Sequence, residues 1–281
     1  MRSLPLPTLD HETLYRTCAR QTGIVADRAI LLAMTDRIVV AGTAYGAAAR
    51  ARQLHNVTTI EMSVREKTLT SQLYDRRLVD AKGAGRAAYD EIYSSADYCP
   101  YCSFGEIYEI DHFLPKRSFP DLNVLPTNLV PICHPCNHLK LQKRPLNGRD
   151  HFLHPYFDEL PNSIRWLQAE LAVKRGGPVL TYKVELYGNK YSILADRLQY
   201  HFRELHLERR FRRQAASILN EIEAEVTQRA HELDARQLAA HLQDRGDQLA
   251  SRSLNSLETA AYYAAASSPA SSSAVASAGR L

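Results

Sequence analysis

The sequence predicts a mainly helical α+β protein built around one small cysteine-rich core. Three observations carry that expectation. Residues 9–55 are rich in Ala, Leu and Arg with few breakers, and long helical patterns recur over 191–206 and 207–231. Two Cys-x-x-Cys pairs stand at Cys99/Cys102 and Cys133/Cys136. The run Pro178–Tyr187 contains a pattern that suits a strand.

Taken in order, residues 9–55 read as two helices broken near Gly23, Gly42 and Gly46, a cap or docking element within a helical region of 1–62. Ser63-Val-Arg-Glu66 is a capping box, so a helix is expected to start at residue 64 and to stop at Gly83, opening a helical lead-in over 63–96. A short helix over 86–94 then delivers the chain to the first cysteine pair. The core is assigned to 97–160, a strand plus helices to 161–248, and a weakly structured helix with a disordered tail to 249–281. That tail, with Ser271-Ser-Ser-Ala-Val-Ala-Ser, is too small and polar to bury apolar surface. Gly83-Ala-Gly85 lacks the other features of a nucleotide-binding loop.

A chain of 281 residues with 45% hydrophobic content is long enough for a real core. Its 35 basic and 31 acidic residues leave a formal charge of only +4, which permits nucleic-acid binding without arguing for it. The stretch Ala29–Ala41 is interrupted by Asp36 and Arg37, and no segment approaches the roughly 20 apolar residues a bilayer span needs. The N-terminal residues lack an apolar leader, so a cytoplasmic location is expected. Of five cysteines, Cys18 stands alone, and the odd count favours metal over disulfides.

Two residues between paired cysteines let the chain turn back so that both sulfurs reach one point, and two such pairs make a closed tetrahedral zinc site. The bland alternative is two independent pairs of buried thiols. Between and after the pairs lie Glu109-Ile-Asp111-His112, then Asn128-Leu-Val-Pro, then Asn137-His138-Leu-Lys140.

This line of residues resembles the HNH, or ββα-metal, endonucleases, and in particular the branch stapled by paired Cys-x-x-Cys. The resemblance covers about 45 residues. It implies a hairpin with Asp111-His112 near the end of its first strand, a proline-punctuated loop (Pro115, Pro120, Pro126, Pro131), and a helix opening around Cys136 to Asn137. His112 would be the general base and Asn128 its orienting partner. Asp111 and Asn137 would hold a catalytic Mg²⁺ or Mn²⁺ ion, beside structural Zn²⁺ on Cys99, Cys102, Cys133 and Cys136. Many family members have His where this chain has Asn137, so the site reads as an H-N-N version, with His138 the competing ligand if the register shifts by one. Asp111 and His112 point to opposite faces of an extended strand, so a twist or bulge is required for Asp111 to reach the ion.

Lys116, Arg117, Lys140, Lys143 and Arg144 are the expected nucleic-acid contacts, since basic residues close to the site can track a phosphate backbone. Arg209-Arg-Phe-Arg-Arg213 is a second basic run, equally well read as a solvated helix paired with Glu204 and Glu208. Leu73–Arg77, Gly83–Arg86, Asp111–Lys116 and Leu153–Asp158 look like a subgroup of HNH proteins from bacterial anti-phage systems, some of which work beside an ATPase. DNA cleavage with an ATPase partner is the function this implies, with RNA an open substrate. The rivals are a zinc-knuckle adaptor that binds nucleic acid without catalysis and an interaction subunit whose helical flanks matter most.

Overall fold

Asp10 accepts a hydrogen bond from the Thr13 backbone and so caps α1 (His11–Arg20), which turns Leu14, Tyr15, Cys18 and Ala19 inward. α2 (Val25–Ala33) and α3 (Thr35–Arg50) follow with a 45° bend between them, where the Thr35 hydroxyl donates to the Leu32 carbonyl. That break makes three helices of the expected two. The capping box opens α4 (Val64–Leu73): Ser63 Oγ accepts from Glu66 N, and the Glu66 carboxylate accepts from Ser63 N. The helix does not run on to Gly83 but changes to a π-helical turn, Tyr74–Val79, which ends it early. Gly83 instead shapes the turn that follows. A Cβ there would lie 2.2 Å from the Arg77 carbonyl oxygen, so only glycine lets the chain double back into α5 (Arg86–Tyr93).

These helices enclose a ribbon of two antiparallel strands, β1 (Glu109–His112) and β2 (Leu129–Ile132), followed directly by α6 (His134–Lys140). Pairing is one-to-one from Glu109↔Ile132 to His112↔Leu129. Pro131, expected in a loop, lies in β2 opposite Ile110. In a two-stranded ribbon its missing N–H faces away from the partner and costs no ladder bond. The outward carbonyls of such a ribbon need other donors. Tyr74 Oη serves Ile110 O (2.8 Å), Lys140 Nζ serves His112 O (2.8 Å), and Tyr156 Oη serves Leu129 O (2.8 Å).

The computed structural model describes residues 1–175 and 177–268, and its chain forms two compact units, one of Met1–Glu159 and one from Leu160 onward. Leu14, Ile38, Leu73 and Leu78 belong to the same buried cluster as Ile110, Val124 and Leu129. The helices of 1–96 are therefore no detachable cap: they supply the core on which the ribbon sits.

In the second unit β3 (Leu167–Lys174) pairs with β4 (Gly177–Val184), and α7 (Ser192–Glu204), α8 (Leu207–Arg229), α9 (Ala235–Ala250) and α10 (Leu257–Ala266) follow. A capping box at Asp234 opens α9 and a side-chain cap at Ser256 opens α10. α10, expected to be weakly structured, buries Ala260, Ala261, Tyr262, Ala264 and Ala265, because its small residues let it pack closely. The serine-rich tail lies outside the described residues. Phe211 of the second basic run is buried while Arg212 pairs loosely with Glu208 (3.9 Å), as a solvated amphipathic helix requires. Among the described residues no single helix is long and apolar enough to cross a membrane.

Candidate metal centre

Cys99, Cys102, Cys133 and Cys136 are all buried, and their four sulfurs lie within 4.8 Å of one another. Sulfurs placed about 2.3 Å from a central ion form a tetrahedron with edges of about 3.8 Å. Cys102 Sγ and Cys133 Sγ are 3.8 Å apart. The first knuckle is made by a backbone bend: Ser103 is left-handed (φ 69°), Ser103 N donates to Cys99 O, Cys99 N donates to Gly105 O, and Gly105 N donates to Cys102 Sγ (3.3 Å). A Cβ at Gly105 would lie 2.8 Å from Cys133 Sγ, so this glycine is what lets the knuckle close on the second pair. Its signal in the sequence is a glycine three residues after the second cysteine.

Four buried thiols cannot all ionise unaided. Hydrogen bonds from Cys133, Cys136 and Cys99 hold the Cys102 thiol well below the ordinary range, while Cys136 is pushed far up, chiefly by its hydrogen bond to Cys102, and Cys99 chiefly by burial. A cation at the centre removes that conflict, and the donor set fits a thiophilic divalent ion held structurally. Cys18 is apart from the cluster, buried in the helical core.

One turn of α6 beyond Cys136 stands Lys140, and these two are the buried face of that helix. Lys140 is only 1% exposed. Its Nζ lies 2.7 Å from Asp111 Oδ2 and 2.8 Å from His112 O, and over the Phe113 ring at 5.8 Å. It is thus no phosphate-tracking residue. α6 begins at His134 rather than at Cys136. Four residues apart on one helix, Cys136 and Lys140 share a face, so the face that brings Cys136 to the thiol set also carries position 140 inward. Burial raises the Asp111 pKa, and the Lys140 ammonium opposes that rise.

His112 is buried on the other face of β1. Its Nε2 is 2.9 Å from the Asn123 carbonyl, which fixes Nε2 as the N–H and leaves Nδ1 with the lone pair. Nδ1 has no hydrogen-bond partner among the described residues. Tyr74 from the π-turn meets the ring edge-on at 4.4 Å. Burial drives the imidazole pKa down to about 3, so the ring is neutral throughout the physiological range rather than poised near 6.5. The Asn128 side chain makes no hydrogen bond with it. The Asn128 side chain accepts from Leu114 N (2.8 Å) and donates to Leu114 O and Leu122 O (both 3.2 Å), and so staples the loop that presents Asn123. A backbone carbonyl has no letter in the sequence, so the part played by Asn123 leaves no signal there.

β1 shows no bulge at Asp111, so the two side chains leave opposite faces as an extended strand dictates. On α6, Asn137 is about 60° around the helix from Lys140 and His138 about 160°. Asn137 is half-buried and His138 exposed, so of the two Asn137 is the one turned toward the protein. Asp111 and Asn137 offer a carboxylate and an amide, both hard oxygen donors. Of the remaining expected contacts, Lys116 pairs with Asp75 (2.9 Å), Lys143 is half-buried, and Arg117 and Arg144 are exposed.

Three of the four loosely spaced segments meet at the ribbon, while Gly83–Arg86 shapes the turn into α5. Tyr74 and Tyr156 cap the ribbon edges, Arg86 donates to Val79 O as α5 opens, and His154 stacks on Phe113 at 4.0 Å while meeting Tyr45 Oη at 2.8 Å. Asp158 Oδ2 accepts from His154 N and so closes the Leu153–Asp158 turn.

No family profile and no solved structure matches the chain. It is similar to Protein ea31 of Escherichia phage lambda, 32% identical over 176 residues, which is 61% of this chain and 58% of the phage protein.

Proposed function

We propose that this chain is a metal-dependent endonuclease of the HNH type, hydrolysing phosphodiester bonds in DNA. The observation that carries the reading is His112: a buried, neutral imidazole with Nε2 held by the Asn123 carbonyl and Nδ1 unpartnered, adjacent to Asp111 at the end of β1, whose partner strand β2 leads directly into Cys133 of the four-thiol set. Zinc on Cys99, Cys102, Cys133 and Cys136 would hold the knuckles together and take no part in chemistry. Asp111 and Asn137 would hold a Mg²⁺ or Mn²⁺ ion, which when bound offsets charge at the phosphate and on the leaving oxygen. His112 Nδ1 would take the proton of the attacking water, the negative charge of an incoming phosphate raising the pKa of an imidazole that burial holds at about 3. Tyr74 and the Asn128-stapled loop keep the imidazole from rotating away. Arg117 and Arg144, with Lys116 released from Asp75, supply positive charge along the flanking phosphates.

One observation favours a second reading. Asp111 already carries an ammonium partner in Lys140, as a scaffold without catalysis would arrange it, which would leave a zinc-knuckle adaptor that binds nucleic acid. Nicking of supercoiled plasmid by the purified protein separates the two: cleavage that requires Mg²⁺ or Mn²⁺ supports the nuclease, and DNA binding without any nicking supports the adaptor. Asn137→Ala should raise the ion concentration needed and His138→Ala should not; the reverse would shift the ligand by one residue. The phage protein resembling this chain suits a role in the conflict between phage and bacterium. A gating partner, an ATPase in the systems the motif resembles, would dock on the unit from Leu160 onward, since residues 1–96 are committed to the core.

A further inference from the structure

Lys140 is among the largest fully buried side chains of the molecule, and it sits on the carboxylate assigned to the ion. Its Nζ donates to His112 O at 2.8 Å, forms an ion pair with Asp111 Oδ2 at 2.7 Å and lies 5.8 Å from the Phe113 ring centre. Holding α6 against β1 needs no charge for this. A buried ion pair gives no clear gain over apolar packing of the same volume, so stability alone is a weak reason for an ammonium at this point. The ammonium does have a consequence for any second cation. A divalent ion on Asp111 must share its carboxylate with a full positive charge inside a poorly hydrated site, where like charges repel strongly. A phosphodiester arriving with the ion brings the negative charge that offsets this repulsion.

We infer that Lys140 is a resident cation of the ion site, neutralising Asp111 when no divalent ion is bound and making firm ion binding conditional on a phosphodiester. Ion and DNA then bind with positive coupling, and by linkage each tightens the other by the same factor. A nuclease built this way does not stand loaded in the absence of substrate. The inference rests on the assignment of Asp111 as an ion ligand, and the experiment keeps the two apart.

Mn²⁺ binding is followed by electron paramagnetic resonance on zinc-loaded protein carrying His112→Ala to prevent cleavage, with and without a short DNA duplex, after correction for Mn²⁺ held by the DNA alone. Binding should be weak without DNA and on the order of tenfold tighter with it, within the usual range of coupling between sites. Adding Lys140→Met should tighten Mn²⁺ binding without DNA by a similar factor, on the order of tenfold, and remove most of the DNA dependence. Weaker or unchanged Mn²⁺ binding in a Lys140→Met protein that keeps its zinc would make Lys140 a strut only and overturn the inference. Should Lys140→Met lose its zinc, the unmutated Lys140 protein still decides: equal Mn²⁺ affinity with and without DNA overturns it. Asp111→Asn tests the underlying assignment. If that protein binds Mn²⁺ as before, the ion is elsewhere and both readings fall, whatever Lys140 does.

Discussion

The thiol centre and the end of β1 lie one turn of α6 apart and handle buried charge in opposite ways. At the first, four like groups converge within 4.8 Å, a set that a central cation suits once the thiols ionise. At the second, opposite charges already meet, with Lys140 Nζ 2.7 Å from Asp111 Oδ2 and a neutral imidazole on the other face. The first arrangement is complete once its ion is bound and has no position for a substrate. The second is balanced within the protein, so a further cation enters only by redistributing charge. In the proposed nuclease, a closed centre beside an internally neutralised one would divide labour between folding and chemistry.

The largest effect should come from breaking the thiol centre. Cys136→Ser or Cys99→Ser removes a ligand from a site whose zinc binding is typically worth about 10–16 kcal/mol, comparable to the whole stability of a domain. Such variants should lose zinc and show no cooperative unfolding of unit one by circular dichroism; a folded, zinc-free variant would mean the four thiols are ordinary core. Next in size is the ion pair. Asp111→Asn strands a buried ammonium and should cost about 3–5 kcal/mol in urea unfolding. The double variant Asp111→Asn/Lys140→Met should be less destabilised than the sum of the singles, and strict additivity would deny that the two residues interact.

Gly105→Ala is subtler. Its Cβ would lie 2.8 Å from Cys133 Sγ, so overpacking of about 1–3 kcal/mol and faster zinc loss to a chelator are expected, with no change in ion affinity at Asp111. Smallest is a pH effect remote from both sites. His11 is packed against Gly42, its Nε2 has no partner, and burial drives its pKa down to about 4. The unfolded chain, with an ordinary pKa near 6.5, takes up the proton first, so stability should fall as pH drops from about 6.5 to about 4. His11→Gln should show a smaller drop in melting temperature over that window, and an identical drop would exclude His11 as a source.

The thiol centre is legible in the sequence because its information is local: spacing within each pair fixes what the sulfurs can reach. The capping box at Ser63 is legible for the same reason. Lys140 reads in sequence as a phosphate contact but is buried against Asp111, since its role depends on which face of α6 packs inward, and a basic residue carries no mark of that in the sequence. β3 leaves no strand signal at all. Leu167-Gln-Ala-Glu-Leu-Ala-Val-Lys174 is composed largely of helix formers, and pairing with β4 together with α10 overrides that preference. The 45° bend at Met34–Thr35 is hidden because neither residue is a strong breaker.

The division of labour between the two centres is tested most directly by measuring zinc content and plasmid nicking on the same sample after brief treatment with a weak chelator and then after adding Mn²⁺. Nicking should vanish while zinc stays at one per chain, return with Mn²⁺, and fail to return in His112→Ala, where loss of a general base costs on the order of 10² to 10⁴ in rate. Nicking that persists in the chelated protein, or a zinc-loaded chain that stays inactive at every Mn²⁺ concentration, would contradict it.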